Sequence, residues 1–243
     1  MLVSHKHKFI FLKTRKTAGT SIEMALARFC GEQDILSPIN SESDEKKKEV
    51  AYPGAKNYRI PLNKMSKREA LAIPLRGWPR FYGHSTAEYV AEHLPKHVWN
   101  NYYKFSFERN PYDRFVSQFH WNSRFKDWNG MKNYITQTTS YRRSNWEVYT
   151  INDQPAVDYM GHYETMHEDL ERIGEILGLP EKLNLPQTKS GIRPKNSHYR
   201  DVLDDELRRL ISIACAKEIA FFGYGFETSE PTIRHKIAWD RAA

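Results

Sequence analysis

The segment KFIFLKTRKTAGTSIEMALARF, residues 8–29, decides the fold of this chain. Its residues 9–12 form a short, continuous apolar run, which is typical of a strand that is buried on both faces. Apolar side chains then recur at helical spacing at Ile22, Ala25, Leu26 and Phe29. The segment therefore predicts a strand, a polar loop and a helix over residues 20–29.

The ends of this helix are also suggested by the sequence. Thr20 and Glu23 stand three residues apart, as in a capping box, and Gly31 follows the last apolar position. We therefore expect the Thr20 side chain to cap the helix and Gly31 to end it.

A second strand-loop-helix unit lies near the middle of the chain. Residues 102–107 are mostly aromatic and predict a strand. Asn110 is a good N-cap residue and Pro111 suits the first position of the helix that follows. Helical spacing recurs at about residues 164–177 and 204–222.

These elements together predict the fold class. Strands that feed helices imply a parallel sheet that is covered on both faces. We expect residues 1–243 to form a single α/β domain with a central parallel sheet flanked by helices. Residues 40–80 are expected to be irregular, and residues 121–160 show no clear period.

The formal net charge of the chain is +7, which attracts anionic partners. A nucleotide, a sulfated polymer, an acidic membrane surface and a nucleic acid all fit this charge. The lysines and arginines are spread along the chain rather than gathered in a tail, which disfavours a nucleic-acid-binding arm. We therefore expect no nucleic-acid partner.

The two cysteines, Cys30 and Cys215, each lie in an apolar helical pattern, which favours buried free thiols over a disulfide. The sequence has no run of about 18 apolar residues, so no transmembrane span is expected. The first six residues lack the apolar region of a signal peptide. These features predict a cytoplasmic protein.

The loop at residues 13–21 has the composition of an anion site. It contains Lys16, several hydroxyl side chains and Gly19, and it leads into a helix N-terminus, where backbone N–H groups attract negative charge. A Walker A loop has the pattern G-x-x-x-x-G-K-[ST]. Here Lys16 precedes Gly19 and the first glycine is missing, so a Walker A loop is disfavoured.

The second unit offers another pair of anion ligands. Arg109 follows the predicted strand, and Ser117 lies on the next helix with Arg114 three residues before it on the same face. An arginine and a hydroxyl can hold a phosphate together. The alternative is that Arg109 forms a salt bridge on the surface.

The two units together resemble the donor motifs of sulfotransferases that use PAPS (3′-phosphoadenosine-5′-phosphosulfate). KTAGTS, residues 16–21, is similar to the 5′-phosphosulfate loop of that family, and RNPYDRFVS, residues 109–117, is similar to its 3′-phosphate motif. The likeness is greatest to the carbohydrate branch that includes heparan sulfate 2-O-sulfotransferase. In that branch a proline stands where this chain has Arg15.

This resemblance implies a P-loop nucleotide-kinase-like sulfotransferase fold, PAPS as the donor, PAP (3′-phosphoadenosine-5′-phosphate) as a product, and no metal. The residues that it assigns to the donor are Arg15, Lys16, Thr17, Ala18, Gly19, Thr20, Ser21, Arg109 and Ser117. Lys16 is also expected to be catalytic. Arg193 and Lys195, in a basic late loop, are candidates for closing over the donor, and an ordinary exposed loop is the alternative.

Gly83-His84 resembles the segment that carries the catalytic histidine in the 2-O-sulfotransferase branch. An imidazole titrates near neutrality and can accept a proton from a hydroxyl. His84 is therefore the candidate base, and a carbohydrate hydroxyl is the expected acceptor. His93 and His97 are four residues apart, could share a helix face, and are the alternative bases.

Two other classes of function stay open. A nucleotide-dependent kinase would need the first loop to bind ATP, and a noncatalytic binder of anionic glycan or nucleic acid would use the positive charge. Residues 121–160 are rich in Trp and Arg, so this segment is either an acceptor platform or a stretch that packs on the domain.

Overall fold

The structure is a computed structural model, and it describes residues 1–39, 47–48, 51–122, 125, 127–186, 194 and 197–233. The strands are β1 (Leu2–Ser4), β2 (Phe9–Leu12), β3 (Ile35–Leu36), β4 (Tyr103–Glu108), β5 (Thr150–Ile151), β6 (Gln154–Pro155) and β7 (Tyr159–His162). Five of them form the central sheet in the order β3-β1-β2-β4-β7, and β5 pairs with β6 in a separate hairpin.

The helices connect and cover these strands. They are α1 (Gly19–Ala27), α2 (Lys67–Arg76), α3 (Ala87–His93), α4 (Lys96–Asn101), α5 (Pro111–Trp121), α6 (Trp128–Gln137), α7 (Ser140–Arg143), α8 (Trp146–Tyr149), α9 (Met166–Ile176), α10 (Tyr199–Val202), α11 (Asp205–Ala214) and α12 (Ala216–Phe222). Short 3-10 helices lie at Leu62–Lys64 and Tyr163–Thr165.

The central sheet is mixed, so the prediction of a parallel sheet is only partly right. β2, β4 and β7 are parallel, with Phe11 opposite Phe105 and Phe107 opposite Gly161. β1 is antiparallel to both β2 and β3. A four-residue turn at residues 5–8 joins β1 to β2, and so short a connection joins only antiparallel strands.

The predicted strand at residues 9–12 is confirmed, and both of its faces are buried. Phe9 and Phe11 point to one face, where they pack with the apolar side of α1 and α9. Ile10 and Leu12 point to the other face, towards α3, α4 and α12. This alternation follows from the two-residue period of a strand.

The capping-box prediction for Thr20 is wrong. α1 begins at Gly19 with Ala18 as its N-cap residue, in a left-handed conformation (φ 57°) and without a side-chain cap. Glu23 is fully buried and contacts Lys13 instead of turning back to the helix start. The helix also ends earlier than expected, at Ala27.

The second unit is confirmed: the side chain of Asn110 accepts a hydrogen bond from the Tyr112 N–H, and α5 begins at Pro111. The helix predicted at residues 204–222 is divided at Cys215 into α11 and α12. The expectation of irregular structure in residues 40–80 and 121–160 is wrong for α2 and α6. Pro74 and Gly130 lie within these two helices, and both residue types weaken a helical signal in the sequence.

Both cysteines are free thiols, as predicted; Cys215 is buried and Cys30 is half-buried. No helix in the described part of the chain has the combination of length and hydrophobicity that crossing a membrane requires.

Candidate active site

A cavity of about 860 Å³ lies where β2 and β4 end, and its volume is typical of a small-molecule site. Ligands of open α/β sheets bind at this edge, outside the carboxyl ends of the strands. The residues that line it include Lys13, Arg15, Lys16, Ala18, Gly19, Thr20, Ser21, Gly83, His84, Arg109, Ser117, Trp121 and Tyr163. The structure thus brings the two predicted donor units and the predicted histidine to one cavity.

The loop after β2 is held in an unusual backbone conformation. Lys16 and Ala18 have φ angles of 62° and 57°, which non-glycine residues adopt only rarely. Thr17 is fully buried, and its hydroxyl lies 2.8 Å from the Thr14 hydroxyl. The Thr17 side chain therefore supports the loop from beneath, whereas the other residues assigned to the loop line the cavity.

The N-terminus of α1 points into this cavity. The first intrahelical hydrogen bond runs from the Ile22 N–H to the Ala18 carbonyl (3.1 Å). The N–H groups before it, at Gly19, Thr20 and Ser21, belong to the first turn, whose donors an α-helix leaves to outside acceptors. Together with the helix dipole, they form a cradle for an anion.

Lys13 is a site residue that the sequence reasoning missed. It is buried, and its ammonium group forms an ion pair with the fully buried carboxylate of Glu23. Burial acts to raise the pKa of Glu23, but the charges of Lys13 and of the Met1 ammonium, with the hydrogen bonds that both donate to this carboxylate, together outweigh it and the pKa is lowered. The Lys13 side chain crosses so close to Gly19 that a Cβ atom there would lie 2.5 Å from Lys13 Cγ. Gly19 is therefore required for packing as well as for the anion cradle.

Asn145, which precedes α8, is a second residue that sequence reasoning missed. Its Oδ1 accepts a hydrogen bond from the Arg15 N–H (2.9 Å), and its Nδ2 donates to the Arg15 carbonyl (3.2 Å) and to Glu108 Oε1 (3.0 Å). Burial raises the pKa of Glu108 to about 7. Asn145 is itself fully buried and fixes the loop relative to the end of β4.

Arg109 both lines the cavity and braces the loop. Its Nη1 donates to the Lys16 carbonyl (3.0 Å), its Nε donates to Asp113 Oδ2 (2.8 Å), and its guanidinium stacks 3.8 Å from the centre of the Tyr163 ring. The alternative prediction was a salt bridge of Arg109 on the surface. Arg109 does form a salt bridge, with Asp113, but it is largely buried at the edge of the cavity. Ser117, on α5, lines the same cavity.

Arg114 does not share the cavity with Ser117, so that prediction is wrong. Its guanidinium is buried and donates to Cys215 Sγ (3.0 Å) and to the Arg143 carbonyl (2.5 Å). The long side chain of Arg114 reaches these two buried acceptors on the core side of α5. Arg114 therefore supports α5 and α12 rather than the anion site.

His84 lies in the cavity wall with a defined hydrogen bond. Its Nδ1 is 2.8 Å from the Lys13 carbonyl. A carbonyl can only accept, so Nδ1 carries the proton in the neutral ring and Nε2 is the basic nitrogen. Burial, followed by the positive charges of Lys13 and Arg15, lowers the pKa of His84 well below its usual 6.5. The ring is therefore neutral at physiological pH and has the form that a general base requires.

The alternative histidines lie elsewhere. His93 ends α3 and its Nε2 lies 2.9 Å from Glu69 Oε1, whereas His97 is exposed on α4. Pro95 separates the two helices, so the prediction that these histidines share one helix face is wrong.

Comparison with known proteins decides between the classes left open by the sequence. Residues 1–225 match the family model described as "Sulfotransferase family". The chain belongs to the sulfotransferase family. It is also 31% identical over 119 residues to an uncharacterised protein of Archaeoglobus fulgidus, covering 47% of this chain and 96% of that protein. The comparison with solved structures gave no match.

In this sulfotransferase, the tryptophans of residues 121–160 have different environments. Trp121 lines the cavity, and the Lys16 ammonium lies 4.7 Å from its ring centre. Trp128 stacks on Phe119 at 3.8 Å, and Trp146 is buried. Trp128 and Trp146 therefore pack on the domain, whereas Trp121 faces the cavity.

The remaining predicted donor residues, Arg193 and Lys195, lie outside the described residues. Among the residues that are described, no group of three or more His, Cys, Asp or Glu side chains is arranged to hold a metal ion.

Proposed function

We propose that this sulfotransferase transfers a sulfuryl group from PAPS to a hydroxyl of a carbohydrate acceptor. The observation that carries the proposal is the meeting of three separate segments at one cavity: the loop before α1, the Arg109–Ser117 motif and His84. Each supplies a different requirement of the reaction, namely an anion cradle, a second phosphate site and a base.

The donor is proposed to lie along the floor of the cavity. The N-terminus of α1, with the hydroxyls of Thr20 and Ser21, is suited to the 5′-phosphosulfate. Arg109 and Ser117 are suited to the 3′-phosphate, which distinguishes PAPS from ATP-like nucleotides. Arg109 is already oriented by Asp113 and by the Lys16 carbonyl, so little ordering is needed when the ligand binds.

The proposed chemistry is an in-line transfer, by analogy with phosphoryl transfer. The acceptor oxygen forms a bond to sulfur while the bond from sulfur to the 5′-phosphate oxygen breaks, and that electron pair leaves with PAP. The acceptor proton passes to Nε2 of His84. Lys16 stabilises the negative charge that develops on the departing oxygen.

A carbohydrate acceptor is supported by the motif likeness and by Trp121 at the cavity. Aromatic faces stack against sugar rings, and the Trp121 side chain is 37% exposed. The test is an assay with sulfur-labelled PAPS against matched panels of glycans, lipids and phenols. Transfer to glycans is expected, and transfer only to phenols or lipids would refute this acceptor class.

Donor selection gives a first quantitative prediction. PAP should bind more tightly than AMP by about 1.5–3 kcal/mol, roughly ten- to hundredfold in Kd, because AMP lacks the 3′-phosphate. Ser117→Ala and Arg109→Ala should each reduce this preference, as measured by calorimetry. AMP is the internal control, since Ser117→Ala should leave its affinity unchanged. Equal affinity of the unmodified protein for PAP and AMP would exclude the assignment.

The pH dependence gives a second prediction. Protonation of His84 abolishes its role as a base, so kcat/KM should fall as the pH drops through the pKa of this ring. Because that pKa is lowered by burial and by Lys13 and Arg15, the acid limb should lie below pH 6.5. Arg15→Gln removes one of these charges and should move the limb to higher pH. A limb that Arg15→Gln leaves in place would argue against His84 as the titrating group.

A further inference from the structure

Residues 61–78 form a surface segment between Ile60 and Pro79; we call this segment the excursion. Its ends are held together because the Ile60 N–H donates to the Pro79 carbonyl (2.9 Å) and the Phe81 N–H donates to the Tyr58 carbonyl (2.8 Å). Phe81 is buried and anchors the returning chain three residues before His84. The two ends of the excursion are therefore fixed next to the stretch of chain that leads to the candidate base.

The excursion exposes an unusual amount of apolar surface. Of the nine large hydrophobic side chains that are exposed in the described part of the chain, four lie in the excursion, namely Leu62, Leu71, Leu75 and Trp78, and a fifth, Tyr82, lies just after it. Leu71 and Leu75 are 81% and 90% exposed, and their four-residue spacing puts them on one face of α2. Such a concentration marks an interaction surface, whereas single exposed leucines do not.

The same segment is strongly basic. Five cations are exposed in and beside it: Lys64, Lys67, Arg68, Arg76 and Arg80. Its one acid, Glu69, is turned inward: it accepts a hydrogen bond from the Ser66 N–H (2.9 Å) and contacts His93 Nε2 (2.9 Å). Lys67 and Arg68 precede Leu71 by one helical turn, so positive charge borders the apolar face directly.

We propose that the excursion binds an anionic lipid surface. Leu71 and Leu75 enter the headgroup layer, while Lys67, Arg68 and their basic neighbours contact lipid phosphates. A helix that joins exposed leucines to lysines and arginines matches both parts of such an interface. A second copy of the chain fits less well, because a symmetric contact would place the same positive charges against each other.

Vesicle sedimentation of the full chain tests this surface. The probes are vesicles of phosphatidylcholine alone and vesicles of equal parts phosphatidylcholine and phosphatidylglycerol. The protein should bind the second kind, and added salt should weaken the binding. The double variant Leu71→Ser, Leu75→Ser should bind the anionic vesicles about tenfold or more weakly. The double variant Lys67→Gln, Arg68→Gln should lose about fivefold in affinity for each charge removed.

The matched control lies on α11, where Ile213 is 63% exposed and Arg209 is exposed beside it. Ile213→Ser with Arg209→Gln should bind vesicles like the unmodified protein. The proposal is overturned if the unmodified protein does not bind anionic vesicles, or if the Leu71→Ser, Leu75→Ser protein binds them equally well. It is also overturned if sedimentation velocity shows a dimer that this double substitution dissociates. Since the assay contains neither PAPS nor acceptor, its outcome is independent of the proposed sulfuryl transfer.

Discussion

Replacing His84 with alanine is expected to lower kcat about 10²–10⁴-fold, the usual contribution of a general base, and to leave the affinity for PAP nearly unchanged. The reason lies in the orientation of the ring. The Lys13 carbonyl accepts from Nδ1, so the neutral imidazole presents Nε2 as its basic nitrogen. PAP lacks the sulfuryl group and no acceptor is present in the binding assay, so the base contributes little to the affinity.

The measurement pairs turnover of labelled PAPS with calorimetry of PAP. His84→Asn is the informative second variant, because its amide can still donate towards the Lys13 carbonyl but cannot act as a base. It should lose turnover as His84→Ala does while preserving the local packing. His97→Ala is the control, since His97 is exposed on α4. Near-normal turnover of both His84 variants would show that another group accepts the proton.

The parts of the fold that were predicted correctly depend on local sequence patterns. The apolar run of β2 and the cap of α5 by Asn110 are fixed by residues within a few positions of each other, and both are confirmed. Helix α2 was missed because Pro74 lies inside it and its leucines face outward. None of its residues is buried, so α2 lacks the core-facing apolar stripe by which a helix is recognised in a sequence.

The site was predictable to the extent that its residues belong to contiguous motifs. The loop before α1, the Arg109–Ser117 motif and His84 were all proposed from the sequence, and the structure brings them to one cavity. Asn145 was not identified, because its partner Arg15 lies 130 positions away and an isolated asparagine carries no pattern. The Thr20–Glu23 pattern does not form a capping box, because the carboxylate of Glu23 is paired with the buried ammonium of Lys13.

Replacing Lys16 with alanine is expected to reduce kcat about 10²–10³-fold and also to weaken PAPS binding. Both effects follow from one placement: Lys16 lines the cavity next to the N-terminus of α1, where the 5′-phosphosulfate is proposed to lie. An ammonium group there attracts the donor before reaction, and it stabilises the larger charge on the departing oxygen in the transition state. The loss in kcat/KM should therefore exceed the loss in either parameter alone.

Lys16 has a φ of 62°, so the control must separate the effect of losing the ammonium charge from any effect of the substitution on the backbone conformation. Lys8→Ala provides it: Lys8 is an exposed lysine with a φ of 53° in the turn between β1 and β2, and its replacement should leave both parameters unchanged. Lys16→Arg should retain donor affinity better than turnover, since the guanidinium keeps the charge but not the geometry of an ammonium. If Lys16→Ala changes PAPS affinity and kcat no more than Lys8→Ala does, Lys16 does not contact the leaving group. The positive charge at the departing oxygen would then have to come from the N-terminus of α1 or from Arg15, which also lines the cavity, since the ammonium of Lys13 is bound to Glu23.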